Sequence, residues 1–475
     1  MALGPRLETT KVNIVQITPG AGGMYCGNCF RDNALVGALR QMGHPTLMVP
    51  LYLPMTLDEV DNSVGTPLFF NGLNVYLEQK SALFRKAPRW IHDAIGSPRL
   101  LKWAAGRAAS TRAADVGEIT LSMLDGENGK QARELEEMIS WLKTHSHPDV
   151  VFLSNALLAG MIQRIKAELR VPVICMLQGE APFLDGLPDR YRQPCWKAVA
   201  ERSAAADMLV APSRYFASLM SKRLGLSEDR VRVIYNGINL EAYHRPSHTE
   251  FKSALPAAAP VLGFFARMCP DKGLNLLVDA YLLIRKRKHV PQLKLRVGGS
   301  CGPSDEPWVE EQRRKLEAAG FLGDAEFCPN LDHAAKVEFL QSLTVMSTPA
   351  LYGEAFGLYV IEAMAAGVPV VQPRHGAFPE LIAATGGGVI CEPTAEGLAR
   401  SIEQLIQDPI ALGSLGRAGR EAVSEHFSVE RMAEGFAQLC EEVRGGQDNR
   451  ERDHGTTGLR DHMTPGTLDQ RIKGI

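Results

Sequence analysis

Two carboxylates eight positions apart, Glu354 and Glu362, stand in the stretch GEAFGLYVIEAMAAGVPVV (Gly353 to Val371), whose other residues are mostly small or apolar. A carboxylate in such surroundings needs donors, because burying it unpaired is costly. Upstream, VMSTPALY (Val345 to Tyr352) predicts a buried strand running into a loop, and VPVVQP (Val368 to Pro373) predicts a second short strand. Between them, Leu358, Ile361 and Ala365 at i, i+3, i+7 predict a helix that Gly367 ends. Two helical glutamates at this spacing would lie about 80° apart around the axis. Glu354 is therefore expected in the loop and Glu362 in the second helical turn. The backbone N–H groups of Phe356, Gly357 and Leu358 then sit at a helix start, which attracts anions. A ribose diol suits Glu362. Pairing of Glu362 with an Arg or the backbone, with Glu354 capping the helix, is the structural alternative.

Two cations are candidates for the same chemistry. Arg267 follows the predicted strand VLGFFA (Val261 to Ala266), and the loop MCPDKG brings Lys272 to the start of LNLLVDAYLLIRK. A planar guanidinium and a point-charge ammonium together suit a diphosphate leaving group. Either residue alone reads equally well as solvated surface.

The elements that must position these groups alternate along the chain. VNIVQITP (Val12 to Pro19) predicts a strand that runs into the glycine loop GAGG (Gly20 to Gly23) and then a helix from about Asn28 to Met42. Strands at Thr46 to Pro50, Asp149 to Ser154, Val171 to Leu177 and Asp207 to Ser213 continue the pattern. After the turn signal Asn236-Gly237, a second series follows at Val261 to Ala266, Leu293 to Gly299, Ala325 to Pro329, Thr344 to Ala350 and Val368 to Pro373. Such alternation predicts parallel sheets covered on both faces. At 475 residues the chain is too long for one ordinary core. The expected organisation is an α/β protein of two Rossmann-like domains, residues 11–240 with an insertion at 54–129, and residues 241–445. A polar tail at 446–475 is expected to be disordered.

Composition narrows the classes. With 45% hydrophobic and 22% charged residues and a formal charge of -2, bulk attraction to nucleic acid is not indicated. No apolar run approaches the length of a membrane span, and MALGPRLETTK lacks the apolar core of a secretion signal, so a cytoplasmic protein is expected. Nine cysteines, odd in number and scattered, suit reduced thiols. Cys26 and Cys29 form a C-x-x-C pair, read as small residues beside the glycine loop rather than as a redox or zinc site.

Taken in order, the GAGG loop, APS and YNGIN (Ala211 to Ser213 and Tyr235 to Asn239), ARMCPDKG (Ala266 to Gly273) and the E-x(7)-E block GEAFGLYVIE resemble the retaining nucleotide-sugar glycosyltransferases of family 4. The resemblance spans roughly residues 11–445. It implies the GT-B architecture, two Rossmann-like domains facing each other across a cleft, and transfer of a sugar from a nucleotide-diphosphate sugar to an acceptor hydroxyl with retention of configuration. It implies that Arg267 and Lys272 bind the diphosphate, that Glu354 and the Phe356-Gly357 backbone, continuing into Leu358, hold the sugar and its phosphate, and that Glu362 binds the ribose. Gly22 and Gly23 would let the first domain's backbone approach the diphosphate. No D-x-D pair occurs, so no metal or other cofactor is expected.

One departure concerns the acceptor side. Many family members carry a His after the strand corresponding to VPVICML, where this chain has Gln178, in LQGEAPFLDG. An amide cannot take a proton, so Glu180 and Asp185 become candidates for acceptor work, unless nothing replaces the His. The resemblance leaves three kinds of acceptor open: a glycan, a lipid-linked species or a small molecule. Between Lys80 and Arg112, eight cations against the single acid Asp93, interleaved with Trp90 and Trp103, form a basic amphipathic stretch. It would suit peripheral contact with an anionic membrane, or equally a cover over the acceptor cleft. Three other classes compete: a nicotinamide-dependent oxidoreductase, which wants G-x-G-x-x-G and an acid ending the second strand; a glycosidase using Glu354 and Glu362; and a non-catalytic sugar-binding protein of the same fold.

Overall fold

The computed structural model describes residues 11–20, 27–55, 57, 59–70, 113–244 and 259–457. Two six-stranded sheets form the frame. The first holds β1 (Ile14–Thr18), β2 (Thr46–Pro50), β3 (Val150–Leu153), β4 (Val173–Met176), β5 (Met208–Ala211) and β6 (Val231–Val233), in the order β2-β1-β3-β4-β5-β6. The second holds β7 (Val261–Phe265), β8 (Lys294–Gly299), β9 (Ala325–Pro329), β10 (Val345–Met346), β11 (Val370–Pro373) and β12 (Gly388–Cys391), in the order β12-β11-β10-β7-β8-β9. All pairings are parallel, for example Ile14↔Val150 and Met346↔Gly263. Helices cover both faces, and β1 is buried at all five positions, as a doubly covered parallel strand must be. In each sheet the strand order reverses once, between β1 and β3 and between β7 and β10. Ligands of open α/β sheets bind outside the carboxyl ends of the strands at such points.

The structure differs from the sequence reading in four places. β6 and β12 were not foreseen, being short edge strands, and the segment read as a strand over Thr344 to Ala350 is strand only at Val345–Met346. Asn236-Gly237 is no turn. The chain crosses between domains there in extended form, beside a second crossing at Phe427–Val429: Ile238 N–H donates to Phe427 C=O at 3.0 Å, and Val429 N–H to Ile238 C=O at 2.9 Å. Gly237 is required because a Cβ would stand 2.1 Å from Ser428 O.

That second crossing changes the domain boundary. The helix Val429–Thr457 leaves the second domain and lies on the first, burying Val429, Met432, Ala433, Phe436 and Cys440 against Val12, Ile14, Leu35 and Phe152. Phe152 and Phe436 meet with ring centroids 5.3 Å apart. Burying side chains of this size is worth about 1.5–3 kcal/mol each, enough to hold a terminal helix on a foreign sheet. Residues 429–445 therefore cover the first sheet, and 446–457, read as disordered, continue the helix. The end of the expected insertion also joins the first core, through Met123 and Leu124 of the helix Ala113–Leu124. The basic stretch from Lys80 to Arg112 lies outside the described residues. Among the described residues no helix is long and apolar enough to cross a membrane.

Candidate active site

Between the sheets lies a cleft of about 610 Å³, lined from both domains. The chain brings its charged groups there from the strand ends that flank the second switch point. β7 continues into Arg267 and a 3-10 turn at Pro270–Lys272; β10 continues into the loop carrying Glu354. The two loops are tied by Leu351 N–H donating to Asp271 C=O at 2.8 Å. The helix Leu358–Ala365 then starts from Gly357, at φ 94° and without a side-chain cap. Six of its eight residues are buried, so it is apolar almost all round rather than along one stripe. Leu358 is only half-buried, packing against the core while it also lines the cleft.

Glu354 is nearly buried and sits in the loop; Glu362 lies in the second helical turn. The two carboxylates have different partners. Lys272 Nζ stands 2.5 Å from Glu354 Oε2, which also accepts from Tyr359 OH at 2.8 Å and Tyr352 OH at 3.3 Å. Burial works against the charged form of Glu354, but the Lys272 charge and these hydrogen bonds outweigh it and hold its pKa below the ordinary carboxylate value. Burial likewise opposes the Lys272 ammonium, and the Glu354 charge prevails, raising its pKa. Burial, with the charge of Glu354 adding to it, pushes the Tyr359 hydroxyl well above its usual range. It therefore remains a donor.

Glu362 pairs with Lys336 Nζ at 3.0 Å. Arg267 makes a two-pronged contact with Asp305, both distances 3.0 Å, while half its side chain stays exposed. Arg267, Lys272, Glu354, Phe356, Gly357, Leu358 and Glu362 all line the one cleft. Gly22, Gly23 and Cys26 lie outside the described residues. Cys29 is buried.

On the first domain's wall Gln178 lines the cleft, its side-chain carbonyl accepting from Asn236 Nδ2 at 3.3 Å. Glu180 and Asp185 are absent from that lining. Glu180 is buried and turned inward, accepting from the N–H groups of Ala156 at 2.9 Å, Gln178 at 2.9 Å and Gly179 at 3.1 Å. Asp185 accepts from Trp196 Nε1 at 2.9 Å and from both prongs of Arg223, at 3.0 and 2.8 Å. One holds the loop that aims Gln178, and the other fastens the helices behind it.

Sequence reasoning missed the partners. Tyr352, Tyr359, Lys336 and Asp305 complete the site, and the available signals were a tyrosine inside an apolar helix and a lone lysine in HAAKVEFLQ beside Val337, Phe339 and Leu340. Arg31, also on the cleft, was unread. It is buried, pairs with Asp32 at 2.6 Å and donates to Ser154 C=O at 3.1 Å.

Residues 247–422 match the family model for glycosyl transferases group 1, and residues 105–242 the model for glycosyltransferase family 4. The chain belongs to the family 4 glycosyltransferases. Among curated members, a glycogen synthase of Mycobacterium tuberculosis is 28% identical over 239 residues, covering 49% of this chain and 54% of the relative. The chain thus spans about half the length of that relative. An alpha-maltose-1-phosphate synthase of Mycolicibacterium smegmatis is 26% identical over 402 residues, covering 79% of this chain and 97% of the relative. Two solved structures share the fold. Sucrose-phosphate synthase of Thermosynechococcus elongatus superposes with TM-score 0.66 at 17% identity, covering 91% of this chain and 99% of the other. HepE of Anabaena, in complex with UDP and glucose, gives 0.61 at 16% identity, with 90% and 99% covered. The family 4 fold is GT-B, which matches two parallel sheets opposed across a cleft.

Proposed function

We propose that this family 4 member moves a sugar from a nucleotide-diphosphate sugar to an acceptor hydroxyl, with retention at the anomeric carbon. The observation that carries the reading is the buried Lys272–Glu354 pair at the switch point of the second sheet, on a cleft it shares with Arg267 and Glu362. In this reading Glu362 takes the ribose diol, exchanging part of its contact with Lys336. Arg267, Lys272 and the uncapped helix start at Phe356, Gly357 and Leu358 neutralise the diphosphate. Glu354, fixed by three donors, orients the sugar.

The acceptor oxygen forms its bond to the anomeric carbon as the bond to the diphosphate breaks. The electron pair stays on the diphosphate oxygen, which takes the acceptor's proton. Catalysis is then stabilisation of a departing anion by preorganised donors, needing neither a protein nucleophile nor a cofactor. The first domain's wall carries amides, Asn28, Gln178, Asn236 and Asn239, which donate to and accept from hydroxyl groups and favour a hydroxyl-rich acceptor such as a glycan. A lipid-linked acceptor is the reading in which the stretch from Lys80 to Arg112 touches an anionic leaflet at the inner face of the membrane. Vesicle binding that falls with salt would distinguish it.

The deciding experiment screens UDP-, GDP- and ADP-sugars by thermal shift, since a ligand that binds only the native state stabilises it by RT ln(1 + [L]/Kd). The stabilising donor is then incubated with candidate acceptors, and the anomeric proton of the product is read by NMR. A retained configuration supports the proposal; an inverted product, or no shift with any nucleotide-sugar, rejects it.

A further inference from the structure

The motif APS and Tyr235 of YNGIN have no task in the chemistry above, yet Ser213 and Tyr235 touch the loop that carries Glu354. The helix Arg214–Leu224 of the first domain begins beside the second domain. Its first two N–H groups, Arg214 and Tyr215, donate to the two carboxylate oxygens of Glu380 at 2.9 and 3.0 Å. Tyr235 OH donates to Glu380 Oε1 at 2.8 Å. Glu380 lies in the first turn of the helix Phe378–Thr385, in the other domain. Ser213 accepts from Phe216 N–H at 3.0 Å, and its own hydroxyl reaches across to Ala355 C=O at 2.7 Å.

These contacts converge on Glu354. The residue after it is held by Ser213 from the first domain. Its own C=O accepts from Ala377 N–H at 2.9 Å, immediately before the helix that bears Glu380. Gly353, just ahead of Glu354, leaves room for the first domain: a Cβ there would stand 1.9 Å from Tyr215 OH. The helix Arg214–Leu224 does not need Glu380 in order to form, because Ser213 already caps it, and the exposed Arg214 N–H has water as an alternative partner. What Glu380 adds is a bond between domains.

We propose that Glu380, Ser213 and Tyr235 form a clasp that closes the two domains on each other and sets the position of Glu354, so that they act as positioning residues for transfer. The clasp rests on the glycosyl-transfer reading for its catalytic consequence but not for its structural one. The Glu354 carbonyl is held within the second domain by Ala377 N–H, and closure adds the hold on the next carbonyl, that of Ala355, by Ser213. Arg267, Lys272, Lys336 and Glu362, which take the nucleotide in the reading above, belong to the second domain and keep their places when the clasp opens.

The test uses the full chain. Glu380→Ala is expected to lower kcat at least tenfold, while calorimetry shows affinity for the free nucleoside diphosphate unchanged within twofold. Glu380→Gln, which keeps one carbonyl oxygen, should recover part of the rate, and Tyr235→Phe should lose two- to fivefold. Small-angle scattering of the nucleotide-free protein reads closure without catalysis, with a larger radius of gyration for Glu380→Ala than for the wild type. A Glu380→Ala protein as compact and as fast as the wild type overturns the clasp, and so does one that only melts earlier. Should Glu380→Ala fail to fold, full turnover in both Glu380→Gln and Tyr235→Phe overturns it. If the wild type transfers sugar from no donor, the glycosyl-transfer reading falls, and scattering alone decides whether the clasp exists.

Discussion

The two walls of the cleft treat charge in opposite ways. On the second domain's wall every acid identified by spacing faces the cleft with a basic partner, Glu354 with Lys272 and Glu362 with Lys336, and Arg267 stands there on Asp305. On the first domain's wall neither nominated acid lines the cleft, Glu180 being buried among backbone N–H groups and Asp185 paired with Arg223 at the surface, and an amide, Gln178, faces the ligand space. The difference follows from what each wall meets. A diphosphate brings two or more negative charges that fixed cations must answer, whereas an acceptor hydroxyl needs only orientation if the leaving group itself takes the proton.

The largest effect should come from breaking the charged wall. Lys272→Ala removes a diphosphate ligand and strands the Glu354 carboxylate in a buried site, and we expect a loss of about 3 kcal/mol in kcat/KM, as for removal of one preorganised donor. Unchanged kinetics would contradict the assignment. The pH profile sharpens the point. Glu354 titrates below its ordinary 4.5, so the stabilisation from its charge is present above that value and disappears as the pH falls through the lowered one. Lys272 titrates above its ordinary 10.5, so its contribution is complete below that and is lost only as the pH rises through the raised value. The pair should give kcat no limb between about pH 5 and 10. A limb in that window that vanishes in Glu354→Gln would show the pair to be weaker than the geometry implies.

A second break tests the division of labour within the charged wall. Glu362→Gln should weaken free nucleotide and nucleotide-sugar alike, by about 2 kcal/mol for a lost charge-assisted contact, measured by calorimetry. Glu354→Gln should lower turnover with free nucleotide affinity kept. Equal loss of nucleotide affinity in both variants would erase the distinction between a ribose-binding and a sugar-orienting carboxylate.

The two walls were also unequally legible. The charged wall rests on short-range patterns: a strand, a loop of fixed length and a helix bring Glu354 and Glu362 to one cleft, and Arg267 and Lys272 follow their strand within seven residues. Its partners were hidden, because Lys336 comes from the helix His333–Gln341 and Asp305 from the turn before the helix Glu306–Ala318, and only tertiary packing joins them to the site. On the other wall LQGEAPFLDG presents three polar side chains, and nothing local says which faces inward. Glu180 turned in to serve three backbone N–H groups beyond the ends of β3 and β4, a demand set by the chain's path rather than by residue type. The terminal helix was misplaced for a similar reason. Its apolar face fits either domain, and only the second crossing at Phe427–Val429 sends it back to the first.

The third prediction separates a structural acid from a catalytic one. Glu180→Gln keeps the shape but not the charge that accepts three N–H groups, so we expect a stability loss of about 1.5 kcal/mol and a melting temperature lower by a few degrees. Below the transition, kcat and its pH dependence should be those of the wild type. A folded Glu180→Gln protein that hydrolyses donor slowly but transfers nothing would return Glu180 to acceptor activation and collapse the contrast between the walls.

The smallest effect should fall on Gln178. Its side chain is a neutral hydrogen-bonding group on the cleft, with its carbonyl already engaged by Asn236, so removing it costs one ordinary contact of about 1 kcal/mol. Gln178→Ala should therefore raise the acceptor KM roughly fivefold, an amount that corresponds to such a contact, and leave the donor KM alone. Gln178→His sharpens the test, because it restores the titratable group that the resemblance leads one to expect. If the departing diphosphate collects the proton, the His variant should show no new limb in kcat near the imidazole pKa, only a changed acceptor KM. Faster transfer with a limb near pH 6.5 would mean that this wall does lack a base, and that the amide marks a different acceptor rather than a mechanism that needs none.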